Sequence, residues 1–200
     1  MKLRLVLVTA AIALLSGCAS SKMIVQENQE LVAPSAGKAQ VVFMRSTFVG
    51  SAIQASVFDV TSGEPEFIGI ISNDTKLAHK TDPGKRVFMV VSEAADYMEA
   101  DLAAGKTYYS MVTPRMGAWK ARFSMYPVRN SGGGEFQYDS KQFKDWLEKT
   151  RFVTNTAESK AWAKENLSNI KDKHARYWEV WKQKSPADLA ERTLNADDGV

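Results

Sequence analysis

The sequence predicts an α+β chain: an antiparallel β-sandwich followed by a C-terminal helical segment. Three observations lead there. Between residues 38 and 128, short runs rich in β-branched and aromatic residues recur, with turn signals about every 8–12 residues. No helical crossover pattern separates those runs, so they are expected to pair antiparallel. After a glycine-rich joint at 129–138 the apolar period becomes helical, and stays so over 139–196.

The strands follow in order. "AQVVFMRS" (39–46) is apolar and β-branched, and "IQASVFDVT" (53–61) alternates. Thr61-Ser62-Gly63-Glu64-Pro65 turns the chain into "EFIGIIS" (66–72), which Gly69 weakens in its middle. Asn73-Asp74 turns it again into the short "KLAHKT". In Asp82-Pro83-Gly84-Lys85, Pro presets φ at one corner and Gly supplies positive φ at the next. "RVFMVVSE", "YMEADL", "TYYSMVTP" and "KARFSMYPV" complete the set. In the last of these Ala121, Phe123, Met125 and Pro127 alternate with Lys120, Arg122, Ser124 and Tyr126.

In the helical segment, Phe143, Trp146, Leu147 and Thr150 share one face, with Asp139 or Ser140 as the cap. Thr154-Asn155-Thr156 interrupts the pattern and caps a longer helix, expected from about Ala157 to Lys184. Trp162, Ala163, Leu167, Ile170, His174, Tyr177, Trp178 and Trp181 form its apolar stripe. Ser185-Pro186 begins a last short helix, because Pro is tolerated in a first turn. Residues 197–200 read as a frayed acidic tail.

The N-terminus carries an address. A basic start (Lys2, Arg4) precedes an apolar run, Leu5 to Leu15, shorter than the ~20 residues of a membrane span. Leu15-Ser16-Gly17-Cys18 resembles the lipobox of bacterial lipoproteins. That resemblance implies removal of residues 1–17 by cleavage between Gly17 and Cys18, and attachment to the membrane through lipid on Cys18. Ala19 and Ser20, rather than Asp, then imply the periplasmic leaflet of the outer membrane by the Gram-negative sorting rule. Residues 18–37 read as a tether, with a docked strand at Met23-Ile24-Val25 as the alternative. Losing Lys2 and Arg4 lowers the formal charge from +3 to +1, so the charge gives no argument for nucleic acid. Cys18 is the single cysteine, and no internal disulfide is expected.

Sites for chemistry are sparse. Gly105-Lys106-Thr107 resembles the end of a phosphate loop, but the earlier glycine position holds Ala100, and a hairpin turn fits better. Ser131-Gly132-Gly133-Gly134 reads as a joint more than an anion nest. Two histidines, His79 and His174, give no metal-ligand spacing, so no metal or cofactor is expected. His174 lies on the apolar stripe as a packing residue, and His79 offers no partner. Glu99 and Asp101 share one face of a strand, but nothing separates their roles as acid and base. No catalytic residue is assigned. The stripe Trp162, Tyr177, Trp178, Trp181 is either core or a candidate interaction surface for a sugar, peptide or partner helix.

The stretches "KAQVVFMRSTFVGSA", "IGIISNDTKL", "TDPGKRVFMV", "LAAGKTYY" and "AWAKENLSNIKDKHARYWEVWKQKS" together resemble a group of bacterial lipoproteins defined only as a domain of unknown function. The shared features are Arg45 at the end of the first strand, the Pro83-Gly84 turn and the Gly105–Tyr109 strand entry. The residue two after Pro-Gly is often His in that group; here it is Arg86, and no histidine role carries over. The resemblance implies a PEGA- or transthyretin-like β-sandwich and no established activity. The expected role is a lipid-anchored, non-catalytic binding or scaffold module with an envelope protein or cell-wall partner. The alternative is an envelope hydrolase or transferase with an unrecognised site.

Overall fold

The computed structural model describes residues 22–115, 122–130 and 133–200. Gly17, Cys18, Lys120, Ala121, Ser131 and Gly132 lie outside the described residues.

The chain is mostly β, with its helices toward the C-terminus. Sheet A has the order β1-β11-β5-β2-β8-β9-β10. It contains β1 (Met23–Val25), β2 (Ala39–Arg45), β5 (Thr75–Thr81), β8 (Thr107–Arg115), β9 (Arg122–Arg129), β10 (Phe136–Gln137) and β11 (Arg151–Asn155). Sheet B has the order β12-β7-β6-β3-β4. Its strands are β3 (Ala55–Asp59), β4 (Glu66–Ile71), β6 (Gly84–Val91), β7 (Ala95–Leu102) and β12 (Thr193–Leu194).

The two sheets share one inner core. Val41 and Phe43 from β2 meet Val57, Phe88, Val90 and Met98 from sheet B. Phe43 and Phe88 stack edge-on at 5.2 Å. Gly69 is the clearance this packing needs: a Cβ there would lie 3.0 Å from the Leu77 methyls. β2 is buried along its whole length because both its faces are covered. A strand covered twice reads as a continuous apolar run, which is how "AQVVFMR" looks.

The sheets are mixed, which corrects the expectation of purely antiparallel pairing. β2–β8, β5–β11, β9–β10 and β7–β12 run parallel. The crossover from β2 to β8 needs no helix, because the chain builds sheet B between those strands. For the same reason the Gly105 turn joins β7 in one sheet to β8 in the other, and is not a hairpin.

The C-terminal part does more than cover the sheets. α1 (Lys141–Lys149) is capped by Ser140, which accepts from Phe143 N, and it buries Phe143 and Trp146 on sheet A. The chain then enters β11 directly, a strand that the helical pattern concealed. Thr156 caps α2 (Ala157–Glu165). The expected single long helix is divided at Asn166, whose side-chain amide donates to Trp162 O at 2.8 Å. α3 (Leu167–Trp181) and α4 (Pro186–Glu191) follow. β12 then joins sheet B. The last residues are docked, not frayed. Thr107 and Val200 exchange backbone hydrogen bonds at 2.8 and 3.0 Å, and buried Asp198 accepts from Arg129 at 2.7 Å.

The N-terminal segment follows the docked-strand alternative. β1 pairs with β11. Gln29 accepts from Phe152 N at 2.7 Å and donates to Phe152 O at 3.2 Å. Of the 18–37 segment, residues 23–29 are therefore tied to β11.

Candidate functional site

β2 ends in Arg45, a charged residue closing an apolar run. Its side chain is fully buried. The guanidinium donates to Ile53 O at 2.5 Å and to Gly50 O, and lies 4.2 Å over the Phe123 ring. Burial lowers its pKa to about 10, so it stays charged at neutral pH. A buried cation costs desolvation, which these bonds must offset. They organise residues 46–54 into a fixed loop. Gly50 takes φ 69°, a conformation that suits glycine. Ser46 donates to Asp74 at 2.6 Å, and Thr47 N donates to Asn73 Oδ1 at 2.7 Å.

That framework holds apolar side chains in solvent. Phe48 is 96% exposed, and Val49 and Ile53 are exposed as well. Beside the loop, a cavity of about 310 Å³ opens against α2 and α3. Its walls include Lys22, Ile53, Gln54, Trp162, Asn166 and Lys173. Lys173 donates to Ser92 O at 2.6 Å and fixes one side. An indole, amides and an ammonium suit a small amphipathic ligand held by apolar contact and hydrogen bonds. Among the described residues, no histidine, cysteine or carboxylate pair lines it.

A larger cavity of about 710 Å³ lies by Arg129 and Asp198. It is a weaker candidate. Arg129 is committed to Asp198, Thr193 O and Ala190 O, and neighbouring residues 131–132 lie outside the described set.

The aromatic stripe faces the outer side of sheet B. Trp181 is 2% exposed, which corrects its place on an interaction surface. Trp162, Tyr177 and Trp178 are half-buried against the same cluster. Tyr97 is the centre: Trp178 lies 5.0 Å and Trp181 5.6 Å from its ring. Of the four, Trp162 alone reaches the cavity wall. The expected acid and histidine candidates do not converge. Glu99 accepts from Trp181 Nε1 at 3.2 Å on the outer face of sheet B. Asp101 is exposed, and His79 is on sheet A. His79 has a partner after all: its Nε2 lies 3.8 Å from Asp59 Oδ2. Burial raises the Asp59 pKa, but the neighbouring His79 imidazole and a hydrogen bond from Thr61 outweigh it and hold the carboxyl below its usual range.

His174 packs beside Tyr97, with the Tyr97 hydroxyl 2.9 Å from Nδ1. Burial lowers its pKa, against the opposing effects of Gly63 and Glu64. The folded state thus prefers neutral imidazole. Stability is lost as pH falls through the ordinary histidine value near 6.5 toward the lower folded one. Melting temperatures should fall between about pH 7.5 and 5, and His174→Gln should flatten that fall. An unchanged slope in the variant would remove His174 from the account.

No protein-family model matches the chain, and no curated protein is significantly similar to it. Among the described residues, no helix is long and apolar enough to cross a membrane, and no three metal-ligating side chains gather. The 46–54 loop was not singled out as a site from the sequence. The available signal was "TFVG", an apolar pair set among turn residues just after Arg45.

Proposed function

We propose that this chain is an exported lipoprotein, cleaved after Gly17 and acylated on Cys18, that serves as a non-catalytic binding or scaffold module. Its address in this reading is the periplasmic leaflet of the outer membrane. One observation supports the proposal: Lys22, four positions after the lipobox cysteine, is already tied to the folded body. Lys22 O already accepts from Thr156 Oγ1 at 2.6 Å, and Met23 opens β1. In this reading the proposed lipid anchor is close in sequence to the folded body, which would hold that body near the bilayer.

The buried ionisable groups support a scaffold role. Arg45 holds a loop, Arg129 meets Asp198, and Asp96 meets Arg192. Each is committed to joining elements. The cavity beside Trp162 is the candidate place for an envelope protein or cell-wall partner. Within this proposal the two stacked sheets are a PEGA- or transthyretin-like sandwich extended by the parallel strands β10, β11 and β12.

Acylation is the test. Cys18→Ala should accumulate as a precursor that keeps residues 1–17 and carries no lipid, read by intact mass. Normal processing of that variant would refute the anchor.

A further inference from the structure

Most of the large apolar side chains that stand in solvent fall in two segments of the chain. Among the described residues they are Ile24, Val25, Leu31, Val32, Phe48, Val49, Ile53, Val180 and Val200. Four belong to the N-terminal segment and three to the 46–54 loop. Single exposed apolar residues need no explanation, whereas grouped ones mark a contact. The loop is also expensive to hold. A fully buried guanidinium fixes Gly50 and Ile53, and the result is a phenylalanine almost wholly in water. Nothing in the core needs Phe48 there.

The length of chain outside the described residues points to the occupant. This step rests on the proposed acylation of Cys18. Only Ala19, Ser20 and Ser21 separate Cys18 from Lys22. Four extended steps reach at most about 14 Å. The bilayer surface must then lie within that distance of Lys22. Lys22 and Ile53 line the same cavity, so the loop stands on the side of the molecule where the leash ends.

We propose that the 46–54 loop is a second membrane contact, which inserts Phe48 and Val49 into the lipid headgroup boundary and fixes the domain's orientation on the bilayer. Lipid on Cys18 supplies the attachment, and the loop supplies the pose. Shallow insertion of an apolar tip, about 5–10 Å into the interface, is what such anchors achieve. In that pose the cavity of Lys22 and Trp162 lies close to the lipid surface.

The experiment uses the full acylated chain in vesicles of phosphatidylethanolamine and phosphatidylglycerol. An environment-sensitive dye is placed on Phe48→Cys, and separately on Ser62→Cys. Both positions are exposed, so both variants should fold. Ser62 lies in the β3–β4 turn, at the end of β3 away from the loop. Lipids carrying a nitroxide high on the acyl chain should quench most of the emission at 48, with a blue shift, and leave 62 unaffected. An unquenched probe at 48 with acylated Cys18 would overturn the loop contact and leave the anchor standing. So would a probe at 48 that is shielded only when a protein partner is added. A free thiol at Cys18, seen as a second labelled site, would overturn the anchor and the loop contact together.

Discussion

Replacing Asp96 with alanine should lower the unfolding free energy by about 3–5 kcal/mol, the usual cost of stranding a buried charge. Asp96 is 4% exposed. Its Oδ2 accepts from Ser124 Oγ at 2.6 Å and from Arg192, with Arg115 at 3.8 Å. Arg192 is itself buried, donates to Met125 O at 2.8 Å and lies 4.3 Å over the Tyr126 ring. One carboxylate thus ties β7 of sheet B to β9 of sheet A and to the segment leading into β12. Without it, the Arg192 guanidinium keeps its desolvation and loses its counter-charge. Pairing Asp96→Ala with Arg192→Met should recover part of the loss, because the double change removes both charges. Urea denaturation of the four proteins reads the coupling. An Asp96→Ala cost under about 1 kcal/mol would contradict this role.

The second large effect concerns the aromatic stripe. Trp181→Ala should cost about 3–5 kcal/mol, as a large buried side chain does when the site cannot collapse. Trp181 ends α3, presses on Tyr97 and donates its indole N–H to Glu99. Truncation opens a void between helix and sheet and leaves Tyr97 uncovered on that side. Trp178 is only half-buried, so Trp178→Ala should cost less. Denaturation midpoints for the two variants give the order. Equal and small losses would mean that the stripe does not cover sheet B.

The strands between 38 and 128 were legible because each is a local pattern bounded by turn residues. Their partners were not. β2 meets β8 some sixty positions later, and nothing local to "AQVVFMR" announces a parallel neighbour. β11 was hidden for a different reason. Phe152 and Val153 continue the apolar rhythm of α1, so the segment reads as helix. The contrary signal was β-branching at Thr150, Val153 and Thr154, which favours a strand. Thr150 also turns its hydroxyl back to Trp146 O at 2.6 Å, where α1 ends. At Asn166 the side chain competes for backbone groups, the known weakness of Asn within helices. The tail looked frayed because Asp197, Asp198 and Gly199 resemble a solvated end. Asp198 is buried only because Arg129 awaits it from another strand, and pairing at that distance leaves no local trace. The loop at 46–54 was half-legible: Arg45 stood out, and what it holds did not.

The account as a whole rests on Cys18 and the short leash behind it. Intact-mass analysis of the protein extracted from cell envelopes tests that most directly. The expected species begins at Cys18 and carries the added mass of a diacylglyceryl group, with or without a further acyl chain. A species that begins at Met1, or one whose Cys18 is a free thiol, would contradict it.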